Sequence, residues 1–187
     1  MNLILASASP RRRELLSLFH IPFTIRAADI DEAMDPSRPA AQEVARVSAL
    51  KAQAVEREAE DVVIAADTIV VCEGKVLGKP HSREEAKQML SLLSGRDHQV
   101  MTGCTVLRGD RSITFTEITD LHFKVLSEKE ITDYVNSGEP MDKAGAYGIQ
   151  GGAAIFCEGI HGDYYNVVGL PVCRLGQYLK EIAPELF

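Results

Sequence analysis

A chain of 187 residues, 45% hydrophobic and 25% charged, suits one globular domain and buries roughly 70% of its unfolded surface. A net charge of −7 argues against a nucleic-acid polymer as partner, because such binders carry a basic face. No apolar run could span a bilayer and no signal-peptide pattern opens the chain, so a cytoplasmic protein with no membrane association is expected.

Leu3–Ala6 is a short apolar run that suits a buried strand. Ser7 and Ser9 make a polar turn, and Pro10 fits the first position of a helix with Leu15, Leu16 and Phe19 as its apolar stripe. Arg11, Arg12 and Arg13 fall in the first turn of that helix, against its macrodipole. An anion at that end removes the conflict, since backbone N–H groups, serine hydroxyls and guanidinium forks together cradle phosphate.

Phe23–Ala27 reads as a second strand, followed by the acidic loop Asp29-Ile30-Asp31-Glu32. A long helix is expected over Ala40–Glu58, with Val44, Val47, Leu50 and Ala54 at helical spacing. Lys51 shares that stripe, and either snorkels to water or points at a phosphate. Val62–Ala66 reads as a strand buried on both faces, with Asp67 where it ends. Ile69–Cys72 and Lys75–Leu77 read as a hairpin about Glu73-Gly74.

Ser82 and Glu85 form a capping box for a helix ending near Gly95. His98–Leu107 and Ser112–Phe123 flank Gly109-Asp110 as a long antiparallel hairpin. Ser127 and Glu130 cap a further helix, which Gly138 and Pro140 stop. Residues 142–169 are glycine-rich with strand-like pieces, and Pro171 starts the last helix. The alternation implies an α/β fold: an elongated twisted mixed sheet flanked by helices, in two lobes with a central cleft.

The four cysteines and five histidines show no zinc spacing and read as structural. Asp67, at the carboxyl end of a strand, is the leading catalytic candidate, with a turn aspartate as the equal alternative. The oxygen-rich loop around Glu32 suits a hard cation, although Asp29, Asp31 and Asp35 taken singly read as solvated. Gly74-Lys-Val-Leu-Gly-Lys-Pro fails as a Walker A loop, yet Lys79 can serve as a point charge for phosphate. The glycines at 145, 148, 151 and 152 permit tight turns and close approach of backbone to a ligand.

Ser7-Ala-Ser-Pro-Arg-Arg, Ala66-Asp-Thr, Gly78-Lys-Pro, Leu93-Ser-Gly-Arg and Asp142-Lys-Ala-Gly-Ala-Tyr-Gly-Ile-Gln-Gly occur in order along the chain. As a set they resemble the Maf family of nucleoside triphosphate pyrophosphatases, in its dTTP/UTP branch. The resemblance implies a fold like that of the inosine triphosphate pyrophosphatases, forming a single two-lobed domain over residues 1–187. It implies hydrolysis of dTTP, UTP or modified pyrimidine triphosphates to monophosphate and pyrophosphate with a divalent metal (Mg2+, Mn2+ or Co2+). It carries proton acceptance to Asp67, with Glu32 as second acidic residue at the metal and attacking water. Ser7, Arg11, Arg12, Lys51 and Lys79 match triphosphate-holding positions, and Arg11, Thr68 and Gln150 match positions of substrate choice. Competing readings are a nucleotide-sensing regulator of cell division, the sister branch acting on 7-methyl-GTP, and a nucleotidyltransferase or orthophosphate-releasing phosphatase. The oligomeric state stays open, a homodimer included.

Overall fold

The computed structural model describes residues 1–27 and 29–187. In chain order its elements begin with β1 (Leu3–Leu5), α1 (Pro10–Ser17), β2 (Phe23–Ile25), α2 (Ala40–Ala54), β3 (Val62–Cys72) and β4 (Lys75–Leu77). They continue with α3 (Arg83–Leu93), β5 (Asp97–Arg108), β6 (Arg111–Phe123), α4 (Glu128–Asn136), β7 (Cys157–His161), α5 (Tyr164–Val168) and α6 (Val172–Ile182). The fold is mixed α/β, as expected. Among the described residues its sheet has seven strands in the order β2-β1-β3-β5-β6-β7, with β4 paired to β3 off that path. β1 runs parallel to both neighbours, with Leu3 opposite Phe23 and Val62. The β3–β4 and β6–β7 pairs are antiparallel. Among the described residues no helix is long and apolar enough to cross a membrane.

The chain forms two compact units. The first comprises Met1–Asp67, Thr102–Glu117 and Gly169–Phe187, and the second Thr68–Met101 and Ile118–Val168.

In the first unit β1 is buried at every position, as a strand paired on both edges permits. α1 starts at Pro10 with Ser9 as N-cap, its side chain accepting from Arg12 N at 3.4 Å. Leu15 and Leu16 are its buried face, whereas Phe19 lies beyond the helix end and meets the Phe187 ring. α2 is shorter than its pattern predicts. It ends at Ala54 because Val55 turns extended (φ −79°, ψ 130°) and enters a core cluster with Ile4, Ala52, Val63 and Leu107. α2 also presses on β5: a Cβ added to Gly103 would overlap the Val44 carbonyl oxygen. Helix backbone thus rests on strand backbone with no side chain between.

In the second unit α4 carries a complete capping box between Ser127 and Glu130. The expected box at α3 is half made. Ser82 accepts from Glu85 N at 3.1 Å, but the Glu85 carboxylate takes the N–H of His81, one residue earlier. Residues 142–169 hold more helical turns than strand. Short 3-10 segments at Ala144–Ala146 and Gly152–Phe156 precede β7 and α5. Four aromatic rings supply the reason, since Phe123 packs edge-on against His98, Tyr147 and Phe156. Burying Tyr147 and Phe156 on opposite sides of a glycine-rich turn favours tight coils over an alternating strand.

Candidate active site

Asp67 does not sit at the end of its strand. β3 runs unbroken from Val62 to Cys72, so the Asp67-Thr68 pair interrupts the apolar run without interrupting the ladder. The strand that ends there is its parallel neighbour. β1 stops at Leu5, opposite Ile64; Ala6 N still donates to Ile64 O at 2.8 Å, and the chain then leaves the sheet at Ser7. Asp67 therefore lies three residues beyond Ile64, past the carboxyl end of β1, where α/β sheets bind ligands.

Lys51 does not snorkel. It is 7% exposed, and its Nζ donates to Asp67 Oδ1 at 2.7 Å and pairs with Glu32 Oε1 at 2.8 Å. The position follows from α2. Val44 touches β5 at Gly103, and Lys51 sits seven residues later, about two helical turns along the same face. Asp67 is 8% exposed, whereas the Glu32 side chain is half-exposed at 55%. Two carboxylates thus converge on one ammonium.

The loop that carries Glu32 is fastened by residues the sequence did not single out. Glu43, 2% exposed in the first turn of α2, accepts from Asp35 N at 2.9 Å and takes a two-pronged contact from Arg46. Arg46 Nη2 also donates to Ala33 O at 2.8 Å. Asp31 and Asp35 hold their own turns, accepting from Ala33 N and Ser37 N at 2.9 Å each. The two Ser37 hydrogen bonds hold the Asp35 carboxyl below the usual range.

At the start of α1 the three arginines part company. Arg12 turns inward, its Nε donating to Gly169 O at 2.9 Å and its Nη1 to Ser7 Oγ at 3.2 Å. Burial draws its guanidinium below the usual value, and the charge of Asp67 is the leading opposing effect. Ser7 Oγ accepts from Ser9 N as well, at 3.2 Å. Arg11 is half-buried and Arg13 exposed. The first unit thus brings together Glu32, Lys51 and Asp67 by direct contact, and Ser7 with Arg12.

Thr68, Lys79 and Gln150 belong to the second unit. Thr68 is half-buried on β3, and Lys79 is exposed just after β4. Gln150 is exposed on a turn. The glycines around it serve this chain's own side chains: a Cβ at Gly151 would overlap the Glu139 carboxylate, one at Gly148 would meet the Lys143 stem at 2.7 Å, and one at Gly152 would meet the Tyr134 ring at 3.2 Å.

Among the described residues, no three His, Cys, Asp or Glu side chains are grouped to hold a metal. The two carboxylates on Lys51 are a different donor set. They fit a hard divalent cation that draws its remaining ligands from phosphate oxygens and water.

The mixed sheet with helices is a known class. A HAM1 protein from Coxiella burnetii shares the fold with a TM-score of 0.50 over 97% of this chain and 99% of that one, at 16% identity. Sequence narrows the class. The profile described as Maf-like protein matches residues 2–182, and the chain belongs to that family. Two curated relatives, from Bacillus cereus and Bacillus anthracis, are named dTTP/UTP pyrophosphatase. Each is 48% identical over 181 residues, covering 96% of this chain and 95% of the relative.

Proposed function

We propose that the protein hydrolyses dTTP and UTP to the nucleoside monophosphate and pyrophosphate. The observation that carries this reading is the convergence of Asp67 and Glu32 on Lys51. The names of the relatives support it from outside the structure. In this reading Asp67 accepts the proton of the water that attacks the α-phosphorus. Glu32 holds the same water from its half-exposed loop. Lys51, on the buried face of α2, keeps Asp67 oriented and offers positive charge to the triphosphate. Arg11, Arg12 and Ser7 take the phosphate oxygens, with Arg12 fixed in place by Gly169 O. Lys79 adds a point charge, and Thr68 and Gln150 address the nucleoside.

A divalent cation, Mg2+, Mn2+ or Co2+, would be held by Asp67 and Glu32 and would neutralise charge on the departing pyrophosphate. No covalent nucleophile is needed.

A panel of dTTP, UTP, CTP, GTP and 7-methyl-GTP, assayed with each metal and with chelator, tests the reading. Monophosphate and pyrophosphate from dTTP and UTP are the expected products, lost on chelation. Orthophosphate as first product would make the protein a phosphatase. Preference for 7-methyl-GTP would place it in the sister activity, and binding without products would make it a nucleotide sensor.

A further inference from the structure

Gly148 to Gly151 form a turn closed by Gly151 N donating to Gly148 O at 3.1 Å. Its two central residues have opposite fates: Ile149 is buried and Gln150 is exposed. Both flanks are tied to one pair of side chains. Gly148 N donates to the Tyr134 hydroxyl at 3.0 Å, and that hydroxyl donates to Glu139 Oε1 at 2.9 Å. Gly152 N donates to the same carboxylate, at 3.0 Å to Oε2 and 3.2 Å to Oε1. The chain from Gly148 N–H through Tyr134 to Glu139 and back to Gly152 N–H encloses the turn. Its members are themselves anchored. Tyr134 is buried with its ring against Phe156, and Lys143 Nζ donates to Glu139 O at 2.7 Å.

From this closed hydrogen-bond chain we infer that Tyr134 and Glu139 are positioning residues for base selection. They fix the turn that presents Gln150. The inference rests on the reading of Gln150 as the residue that meets the base. An exposed glutamine on an untied turn would spend binding energy on becoming ordered, and the tie removes that cost beforehand. A carboxylate is the fitting acceptor, because charge-assisted bonds to backbone N–H are about twice as strong as neutral ones. Its two oxygens serve two donors, Tyr134 O–H and Gly152 N–H. A glutamine at 139 has one acceptor oxygen and would turn an NH2 group toward one of those donors. Burial raises the Tyr134 hydroxyl well above its usual range, so it stays protonated and keeps donating near neutrality.

The test compares wild type with Gln150→Ala, Glu139→Gln and Tyr134→Phe, the last keeping the ring packing on Phe156. For each, KM and kcat are measured on dTTP, UTP and GTP, and amide exchange at Gly148 and Gly152 is followed by NMR. Glu139→Gln is expected to lower the dTTP-over-GTP ratio of kcat/KM about 10-fold, a loss on the scale of one good hydrogen bond. The loss should fall on KM for dTTP, with kcat changed less than about 3-fold. Tyr134→Phe should do the same more weakly. Gly152 should exchange about 10-fold faster in Glu139→Gln, as an amide does when one hydrogen bond opens. If Gln150→Ala shifts the base preference while Glu139→Gln does not, the positioning inference is wrong and the base reading stands. If Gln150→Ala leaves the preference unchanged, both fall together. An equal drop in kcat for every triphosphate, with KM constant, would mark Glu139 as merely structural and overturn the inference.

Discussion

The charged cluster of the first unit and the Gln150 turn of the second are built by opposite means. Lys51, Asp67 and Glu32 meet side chain to side chain, two of them on regular elements that set their positions. Gln150 has no such element under it, and its turn is held through backbone amides by Tyr134 and Glu139. A strand and a helix can place a reacting group with little local help. A turn that must present a side chain needs a dedicated clamp. The first arrangement is vulnerable at its charged atoms and the second at its supports.

The sharpest way to break this contrast is at Asp67. Asp67→Asn keeps the shape of the cluster, and Lys51 still meets Glu32. Turnover should nevertheless fall about 100-fold or more if a general base is lost, with the thermal midpoint nearly unchanged. Near-normal turnover would remove Asp67 from the chemistry and leave the cluster a structural ion pair.

Next in size is Gly103→Ala, which attacks the placement of Lys51 rather than its charge. The new methyl would overlap the Val44 carbonyl, and overpacking of this kind costs about 2–3 kcal/mol. Gly159→Ala, where a Cβ meets nothing within 4 Å, is the control, expected to stay within about 0.5 kcal/mol. Denaturant unfolding of both variants measures the difference, and equal stability would show that α2 does not depend on that contact.

The second region has its own pH signature. His98 is buried beneath the turn, its Nε2 bonded to the Tyr147 hydroxyl at 2.9 Å, and burial lowers its pKa to about 4. The unfolded chain takes up that proton near pH 6.5. Its contribution is therefore complete above pH 6.5 and is lost as pH falls toward 4. The loss is on the order of 3 kcal/mol. His98→Gln should flatten the decline in thermal midpoint over that window. An unaltered slope would mean that other groups carry the acid sensitivity.

The smallest expected effect separates the arginines. Arg12→Ala should raise the KM for triphosphate about 10-fold, the loss of one charge-assisted contact. Arg13→Ala, at an exposed position, should change it less than about 2-fold. A wild-type KM in both variants would leave Arg12 a structural tie to Ser7 and Gly169 rather than a phosphate contact.

Period and caps make much of the fold legible: Ser9 before Pro10, Ser127 with Glu130, and Val44, Val47 and Lys51 on the buried face of α2 agree with the structure. Leu50 and Ala54, expected on the same stripe, are exposed because the buried face turns through Ser48 and Ala52 instead. The stripe could say that Lys51 faces inward but not what it faces. Asp67 reads as a strand end because its charge breaks an apolar run, yet hydrogen-bond ladders ignore side-chain polarity. Glu139 left no signal, since an acidic residue between Gly138 and Pro140 looks like any turn. Glu43 was equally silent, because only the fold shows that its carboxylate ends up 2% exposed. Gly103 did leave one. A lone glycine within a strand marks a close backbone approach, and the structure shows that the approaching backbone is that of α2.

Contact between two main chains at Gly103 has a wider consequence. Side chains in a core repack as sequences diverge, and elements resting on them drift with each change in volume. A helix seated directly on a strand has no such cushion to swell or shrink. The seat of Lys51 over the sheet is then set by the α2 and β5 main chains rather than by the volume of the side chains around it.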